Sequence, residues 1–471
     1  MPIGHVAPGL AVVLGAVVGL LAMLLLPRGR QGWGAAWALG TLGVALGLAV
    51  DLHVRTAAQL TFHGTWALDG VTSWATFAIL GATAVVVLLS PAWLRTDPRH
   101  GEWYTLLLLS ALGALMLAGA ADLLELMVGM LLVSVTGYTL ASYHRGSRMS
   151  AEAGAKYFLL GALTNPLLFL GIALLYGLCA TTRYAEVRSV LAGGGADPVA
   201  LTVATAFVLL GLFFELGAVP THPWVPDVSQ GSPAPAAAFL TVVPKIGALV
   251  AIARFVQLPP EEVPWRLLVA VVALLTMTLG NLAALWQQDV RRLLGWSSVS
   301  QAGYGLMAVV ALGRSDLAVP SLVLFVVAYG LANVAAFGVV VALRGRTRLE
   351  DYRGLGRVRP WHAASLVLAL LSLVGIPPLV GFGAKLALFG AAIQAGYGWL
   401  AVAAVINTVI SLFYYLRVIA PMLRPAPEVE VALLGRLSPI TAVVAALLTL
   451  VAGLAAHLPL QSAAAATLLP G

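Results

Sequence analysis

Apolar stretches of about 20 residues recur along the whole chain and are separated by short polar connections. Runs of this length cross a bilayer as helices, and the alternating pattern of half-buried strands is absent between them. The pattern predicts an all-α polytopic membrane protein with about 14 transmembrane helices. The predicted spans are 8–26, 34–52, 71–93, 103–121, 123–142, 154–177, 199–219, 236–256, 266–286, 292–312, 319–343, 361–390, 396–420 and 437–458.

Two spans are interrupted by prolines. The seventh breaks at Pro220, and the twelfth breaks at Pro377 and Pro378. These spans lie five apart, so they run in opposite directions, and interrupted helices in corresponding positions indicate an inverted repeat. Two unrelated proline kinks are the alternative.

The repeat hypothesis divides one membrane domain, 1–471, into four parts. Helices 1–3 occupy 1–95, and helix 14 occupies 437–458. The first repeat, helices 4–8, covers 103–256, and the second, helices 9–13, covers 266–420.

Composition agrees with a membrane protein and excludes several other classes. The chain is 61% hydrophobic and 10% charged, with a mean hydropathy of +0.97, which is too apolar for a soluble globular protein. Its single cysteine, Cys179, excludes a disulfide framework and a cysteine-ligated metal site made by this chain alone. The first apolar run lacks a basic leader and a small-residue cleavage site, which predicts a retained span.

The net charge of +7 reflects arginines in the connections rather than a nucleic-acid surface. The connections after odd-numbered spans contain many more arginines than those after even-numbered spans. The positive-inside rule therefore predicts that the connections after odd-numbered spans are cytoplasmic and that both termini face outward. The odd side holds Arg28, Arg30, Arg95, Arg99, Arg145, Arg148, Arg291, Arg292, Arg344, Arg346, Arg348, Arg353, Arg357 and Arg359, and the even side chiefly Arg55, Arg183, Arg188 and Arg314.

Only three of the 26 basic residues are lysines: Lys156, Lys245 and Lys385. All three lie in or at the start of apolar segments. Desolvation favours loss of a lysine's proton, whereas arginine stays charged, so lysine suits a proton relay. Lys385 is the sharpest candidate, with a snorkelling side chain as the alternative. Lys156 fits either a cytoplasmic anchor or a relay.

Two acidic regions are of interest. Glu215 lies at membrane depth just before the first break, where an ionisable group costs roughly 2.5–3.5 kcal/mol on insertion scales. It is either a proton carrier coupled to Lys245 or a carboxylate permanently paired with a base. Asp122 and Glu125 are typical of a helix N-terminus.

The break itself contains His222 and Asp227. His222 either links the Glu215–Lys245 pair to a water path or satisfies freed backbone carbonyls. Phosphate loops, dinucleotide fingerprints, nucleophile triads and metal motifs are absent, so no cofactor is expected in this chain.

Seven ordered motifs cover nearly the whole chain: EWYTLLLLSALG (102–113), EAGAKYFLLGALTNPLLFLGIALLYG (152–177), VPTHPWVPDVSQGSPAP (219–235), LGNLAALWQQDVRRLLGWSSVSQAGY (279–304), LEDYRGLGRVRP (349–360), SLVGIPPLVGFGAK (372–385) and NTVISLFYYLRV (407–418). Together they resemble the antiporter-like subunits of bacterial respiratory complex I (NADH:quinone oxidoreductase), those of the N type in particular. Related subunits occur in Mrp-type antiporters and membrane-bound hydrogenases.

The resemblance implies fourteen helices, inverted five-helix repeats, and proton translocation driven by quinone reduction in partner subunits. It also implies a bacterial plasma (inner) membrane, membrane-subunit partners and the lipid bilayer. Flavin and iron–sulfur clusters would belong to partner subunits, and the quinone is used by the complex without a known site in this chain. Subunits of a multisubunit cation/proton antiporter and of a membrane-bound hydrogenase are the alternatives.

The chain departs from the family pattern in its first half. Lys245 and Lys385 match the lysines of helices 8 and 12, but Leu131 replaces the glutamate of helix 5, and Glu215 replaces the lysine of helix 7. Gln301 stands where a histidine is frequent. Either Glu215 and Lys245 form a rewired acid–base pair that still conducts protons, or the first half-channel is inactive and the subunit is a scaffold.

Overall fold

The apolar pattern forms a bundle of helices in the computed structural model, which describes residues 3–97, 100–425, 432–455 and 466–469. Arg99 and the end of the fourteenth predicted span, 456–458, lie outside the described residues. The helices are α1 (Ala7–Leu25), α2 (Trp33–Arg55), α3 (Gly70–Trp93), α4 (Gly101–Gly119), α5 (Leu123–Ala141), α6 (Arg148–Cys179), α7 (Tyr184–Ala192), α8 (Pro198–Leu216), α9 (Trp224–Gly231), α10 (Ala234–Leu240), α11 (Val243–Phe255), α12 (Trp265–Leu285), α13 (Val290–Ala311), α14 (Ala318–Ala342), α15 (Leu355–Val358), α16 (Pro360–Val374), α17 (Val380–Gln394), α18 (Gly398–Leu423) and α19 (Leu437–Leu454).

The predicted fold class, a polytopic helical membrane protein, is confirmed. Within the described residues, twelve helical segments are long and apolar enough to cross a membrane, α10 and α11 counting as one. Of the two other predicted spans, one is α13, which carries two arginines in its first turn, and the other consists of the shorter helices α16 and α17. The number fourteen and the two inverted repeats stay predictions.

A small hairpin departs from the all-α prediction. Strands β1 (Gln59–Thr61) and β2 (Trp66–Leu68) pair antiparallel, with Leu60 opposite Ala67. Each strand has only three residues, too few for an alternating pattern to stand out in the sequence. The hairpin lies beside the start of α3 and the end of α4.

The most buried helices are those that carry the central ionisable residues. The window of α10 and α11 is 100% buried and that of α14 is 89% buried, whereas those of α1 and α2 are only 33% and 28% buried. Charged side chains on α11 are therefore enclosed by protein, while α1 and α2 lie at the periphery of the bundle.

Both predicted breaks are present, and each begins at a glycine. Helix α8 ends at Gly217 (φ 72°) and α16 ends at Gly375 (φ 93°), and both adopt the left-handed conformation that glycine allows without a steric penalty. A proline follows three residues later in each case, at Pro220 and Pro378. Each half-helix therefore ends inside the bundle and leaves its last carbonyl groups free for other partners.

A third break, between α10 and α11, was not predicted. Pro244 stands at the start of α11 and lacks the N–H that would continue the ladder of α10. The carbonyl oxygen of Thr241, freed at this break, accepts hydrogen bonds from the hydroxyls of Tyr329 and Ser298. Side chains of the neighbouring helices α13 and α14 thus donate the hydrogen bonds that this backbone carbonyl could not obtain from lipid.

A buried ion pair ties α3 to the end of α11. Arg254 Nη1 lies 2.8 Å from Asp69 Oδ2, and both side chains are fully buried. Arg254 also donates to the carbonyl oxygen of Leu469 (2.6 Å), whose own N–H donates to Asp69 (2.9 Å). The described C-terminal residues therefore cover the pair and add a hydrogen bond to each of its partners.

Candidate functional site

Glu215 lies in the last turn of α8 with a fully buried side chain. Two hydroxyl groups donate to its carboxylate, Tyr157 to Oε1 (3.3 Å) and Ser134 to Oε2 (3.5 Å). Asn165 in turn donates to the oxygen of Ser134 (3.2 Å). Polar groups from α5 and α6 thus surround this carboxylate at the centre of the bundle.

Lys245, on α11, approaches the end of α8 from the other side. It is 3% exposed, and its ammonium group donates to the carbonyl oxygen of Ser298 (3.3 Å). A methyl group built on Gly217 would lie 2.9 Å from Lys245 Nζ, so the amine sits against the C-terminal end of α8. The C-terminal end of a helix carries partial negative charge that stabilises a cation.

The predicted pairing of Glu215 with Lys245 is not a direct contact. The ion pairs within the described residues do not include one between them, because the carboxylate turns toward α5 and α6 and the amine toward α13. The two groups lie on either side of the same helix end. The alternative of a permanently ion-paired Glu215 is not what the geometry shows either.

Replacing Gly217 by alanine is expected to disturb both the break and Lys245. The new methyl group would meet Val225 at 2.6 Å and Lys245 at 2.9 Å, so overpacking of about 1–3 kcal/mol adds to the left-handed backbone penalty of about 1–2 kcal/mol. The thermal unfolding midpoint should fall clearly.

Gly313→Ala is the matched control for this substitution. Gly313 has nearly the same φ, 73°, but nothing lies within 4 Å of an added methyl group. Gly313→Ala should therefore lower the unfolding midpoint only by the amount that the left-handed backbone penalty causes. Equal shifts in the two variants would contradict a close approach of Lys245 to Gly217.

Lys385, on α17, occupies a comparable environment in the second half. It is 4% exposed and donates to the carbonyl oxygen of Val374 (3.0 Å), the last residue of α16. Its ammonium group lies 4.0 Å from the ring centroid of Tyr304, within the range of a cation–π interaction. Both buried lysines therefore lie at the C-terminal end of an interrupted helix.

Two small cavities lie between these lysines, and Gln301 borders both. Each has a volume of about 10 Å³, and one contains Lys245 in its lining while the other contains Lys385. This is about the room that one water molecule needs. Phe325 and Tyr329 also line both cavities, and Gln301 donates to the carbonyl oxygen of Leu373 (3.0 Å). Gln301 and Tyr329 are thus the polar residues that border both cavities.

The remaining predicted site residues lie elsewhere. Lys156 is half-exposed and pairs with Glu152 (2.7 Å) and Asp227 (2.9 Å). Its contacts are those of a surface ion-pair network rather than of the buried lysines, and Arg292 joins it through Asp227. His222 packs against Trp296, with ring centroids 5.6 Å apart, and its buried Nδ1 atom has no hydrogen-bond partner within the described residues.

Two further predictions concern residues of helix α5 and its N-terminus. Asp122 caps its N-terminus by accepting from the backbone N–H of Leu124 (2.7 Å) and of Glu125 (3.4 Å), which confirms the prediction of a helix start. Leu131 is 38% exposed, whereas Ser134 faces Glu215. The side chain that meets Glu215 from α5 is therefore not the one that the motif suggested.

Sequence reasoning missed the polar groups that hold the ionisable ones. Ser134, Tyr157, Asn165, Tyr304 and Tyr329 are single polar residues on apolar helices, and such residues are common in membrane helices for packing alone. Within the described residues, no group of three or more His, Cys, Asp or Glu side chains could hold a metal ion. The expectation that this chain carries no cofactor stays a prediction.

Comparison with known proteins gives consistent matches. The family described as NADH:quinone oxidoreductase/Mrp antiporter, TM, matches residues 120–411. The chain is 47% identical over 409 residues to the NADH-quinone oxidoreductase subunit N of Mycobacterium sp. (strain JLS), with 86% of each chain covered.

Solved structures agree. A chain of respiratory complex I from Thermus thermophilus with bound aureothin has a TM-score of 0.83 and 31% identity, with 97% of this chain and 99% of that chain covered. A chain of the Mrp complex from Dietzia sp. DQ12-45-1b has a TM-score of 0.86 over 99% of this chain and 97% of that one, but at 22% identity it shows the fold alone. The chain therefore belongs to the family of antiporter-like subunits N of NADH-quinone oxidoreductase.

Proposed function

We propose that this chain is a proton-conducting subunit in the membrane arm of an NADH–quinone oxidoreductase. Protons move through it when partner subunits, which hold the flavin and iron–sulfur centres, reduce quinone. The observation that carries the proposal is the row of buried ionisable groups, Glu215, Lys245 and Lys385, each placed at the end of an interrupted helix. Burial of such groups is costly and points to an ion path.

The central step of the path runs from Lys245 to Lys385. Each amine donates to a free helix carbonyl or to a neighbouring backbone carbonyl, so each has a fixed position in either protonation state. The two one-water cavities beside Gln301 lie between them, and a water in each would shorten the gap between the amines. An amide such as Gln301 can accept from one water and donate to another.

The first half of the path is altered by Glu215. In the family pattern a lysine on helix 7 is tuned by a glutamate on helix 5, but here Tyr157 and Ser134 donate to a carboxyl group instead. Hydroxyl groups stabilise a carboxylate without a full positive charge, and they can reorient when it is protonated. Glu215 therefore accepts a proton and passes it toward Lys245 across the end of α8.

Lys156 and His222 take peripheral roles in this proposal. The exposed pair of Lys156 with Asp227 fastens α6 to α9, while His222, beside the break, has a buried ring nitrogen that finds no hydrogen-bond partner within the described residues. We also propose the bacterial plasma membrane as the location, with both termini on the outer face, because of the arginine distribution.

An antiporter or a membrane-bound hydrogenase assembly is less well supported. The likeness to the Mrp complex is one of fold at 22% identity, whereas the likeness to complex I subunits reaches 47% and 31% identity. NADH-driven proton uptake by membrane vesicles would distinguish the two, because an antiporter chain would not depend on quinone reduction.

Replacing Glu215 by glutamine tests the altered half-channel. The amide keeps the shape but cannot carry a proton, so proton transfer through this subunit should slow by about 10²–10⁴-fold. The measurement is protons moved per electron in vesicles that contain the assembled complex. The exposed carboxylate Glu102 provides the control, and Glu102→Gln should leave the yield unchanged. An unaltered yield in Glu215→Gln would show that Glu215 is not a relay.

A further inference from the structure

The surroundings of Lys385 contain no carboxylate within the described residues, in contrast to those of Lys245. Lys245 has Glu215 on the other side of the same helix end, whereas the ion pairs of the described residues do not include Lys385. Helices α13, α14, α16, α18 and α19 pack against α17. All six of these helices lack aspartate and glutamate. The ammonium form of Lys385 must therefore be stabilised by other groups.

The titratable and charged groups on the helices around α17 are basic or phenolic. The basic ones lie near helix ends and are Arg291 and Arg292 on α13, His362 on α16 and Arg417 on α18. The phenolic ones are Tyr304 on α13, Tyr329 on α14, and Tyr414 and Tyr415 on α18. Positive groups oppose a second positive charge, so only the phenol rings and backbone carbonyls are left to stabilise the ammonium group.

The ring face of Tyr304 is one of two electron-rich groups that meet this amine. Lys385 Nζ lies 4.0 Å from the centroid of the ring and donates to the carbonyl oxygen of Val374 (3.0 Å). The face of an aromatic ring carries negative potential, and its attraction for a cation grows when both are removed from water. Tyr304 is fully buried and Lys385 is 4% exposed. The contact therefore lies where a cation–π interaction is strong.

The hydroxyl group of Tyr304 fixes the position of the ring. It lies 3.2 Å from the carbonyl oxygen of Ala404 and 3.1 Å from the hydroxyl oxygen of Thr408, both on α18. The neighbouring Asn407 accepts a hydrogen bond from Asn281 on α12 (3.0 Å), which ties α18 in place. The ring is thus held at both ends, and its face rather than its positive edge stays toward the amine.

We propose that Tyr304 is a positioning residue that replaces a carboxylate partner for Lys385. Its ring face attracts the amine only in the charged form, and it takes up no proton itself. A neutral ring also attracts the ammonium group less strongly than a full negative charge would, so the amine is not locked in a permanent ion pair. This inference rests on the proposed conduction through Lys385.

A series of fluorinated rings at position 304 tests the proposal. Tyr304→Phe keeps the ring face, and mono-, di- and trifluorophenylalanine then withdraw electron density from it at nearly constant shape. The measurement is protons moved per electron in vesicles as a function of pH. The alkaline pH at which the yield falls to half should move downward with each fluorine, by roughly one pH unit in total.

Phe382 provides the matched control for the fluorine series. It lies on α17, three residues before Lys385, but its side chain is 40% exposed. The same fluorinated residues at this position should leave the alkaline midpoint unchanged. If Tyr304→Phe fails to assemble, fluorinated tyrosines replace the series, because they keep the hydroxyl group.

Thermal unfolding of the purified complex tests the contact without relying on conduction. At mildly acidic pH, exchange of phenylalanine for trifluorophenylalanine at position 304 should lower the unfolding midpoint when Lys385 is present. The same exchange should have a smaller effect in Lys385→Met. The difference between the two backgrounds, a double-mutant cycle, isolates the attraction between ring and amine.

Either of two results would overturn the inference. One is an alkaline midpoint that stays constant through the fluorine series although Lys385→Met stops conduction, which would leave the proposed function intact. The other is an equal unfolding shift in the Lys385 and Lys385→Met backgrounds. An unchanged proton yield in Lys385→Met would refute the proposed path, and the unfolding cycle would then decide alone whether the ring holds the ammonium group.

Discussion

Replacing Lys385 by methionine should stop proton conduction through this subunit while quinone reduction continues. Methionine is similar in length and apolar, so it fills the site beside Tyr304 and Val374 but cannot carry a proton. The transfer step should slow by about 10²–10⁴-fold. The measurement is protons moved per electron in vesicles, with NADH oxidation followed in the same preparation.

Two further variants separate a proton carrier from a structural charge. Lys385→Arg keeps the positive charge over the Tyr304 ring, but an arginine does not release its proton, so conduction should remain low. Lys156→Met removes a half-exposed lysine whose partners are Glu152 and Asp227, and the yield should stay near the wild-type value. Full activity of Lys385→Arg would show that only the charge is needed.

The interruptions of α8 and α16 could be predicted because their causes are local. Gly217 with Pro220 and Gly375 with Pro378 are backbone signals that act within a few residues. The break before α11 has the same kind of cause, Pro244, but proline is tolerated in the first turn of a helix. The sequence alone therefore does not show whether this segment is one continuous helix or the two helices α10 and α11.

The surroundings of the three lysines could not be predicted, because they depend on contacts between distant segments. Lys156 and Lys385 both lie in apolar sequence, yet one is half-exposed and the other 4% exposed. Lys245 meets α13 at Ser298, 53 residues away, and this contact turns its amine away from Glu215. Hydrophobic periodicity fixes neither the rotation of a helix in a bundle nor its neighbours.

The position of both buried lysines has a common physical basis. Each amine lies at a helix C-terminus created by a glycine, where carbonyl groups lack intrahelical partners. The resulting negative partial charge offsets part of the cost of a buried ammonium group. The C-terminal end of α8 therefore stabilises Lys245, and the C-terminal end of α16 stabilises Lys385 in the same way, although the residues around the two lysines differ.

Removing Arg254 should destabilise the protein more than any single change at the proposed proton path. Arg254 pairs with Asp69 in a fully buried setting, and its loss leaves an uncompensated carboxylate that the N–H groups of Thr72 and Leu469 satisfy only in part. Breaking such a pair from one side costs about 3–5 kcal/mol. Arg254→Met should therefore lower the unfolding midpoint of the purified complex strongly.

The double variant and an exposed pair provide the controls. Arg254→Met combined with Asp69→Asn removes both charges, so it should cost less than the sum of the two single changes. Arg314→Gln breaks only the exposed pair with Glu261 (2.8 Å), a kind of pair worth about 0–1 kcal/mol. Arg266 also donates to Glu261 and holds the pKa of that carboxyl below its usual value, so the small loss should appear at neutral pH and vanish as the pH falls through that pKa. Strictly additive effects of the Arg254 and Asp69 changes would show that the two side chains do not act as a pair.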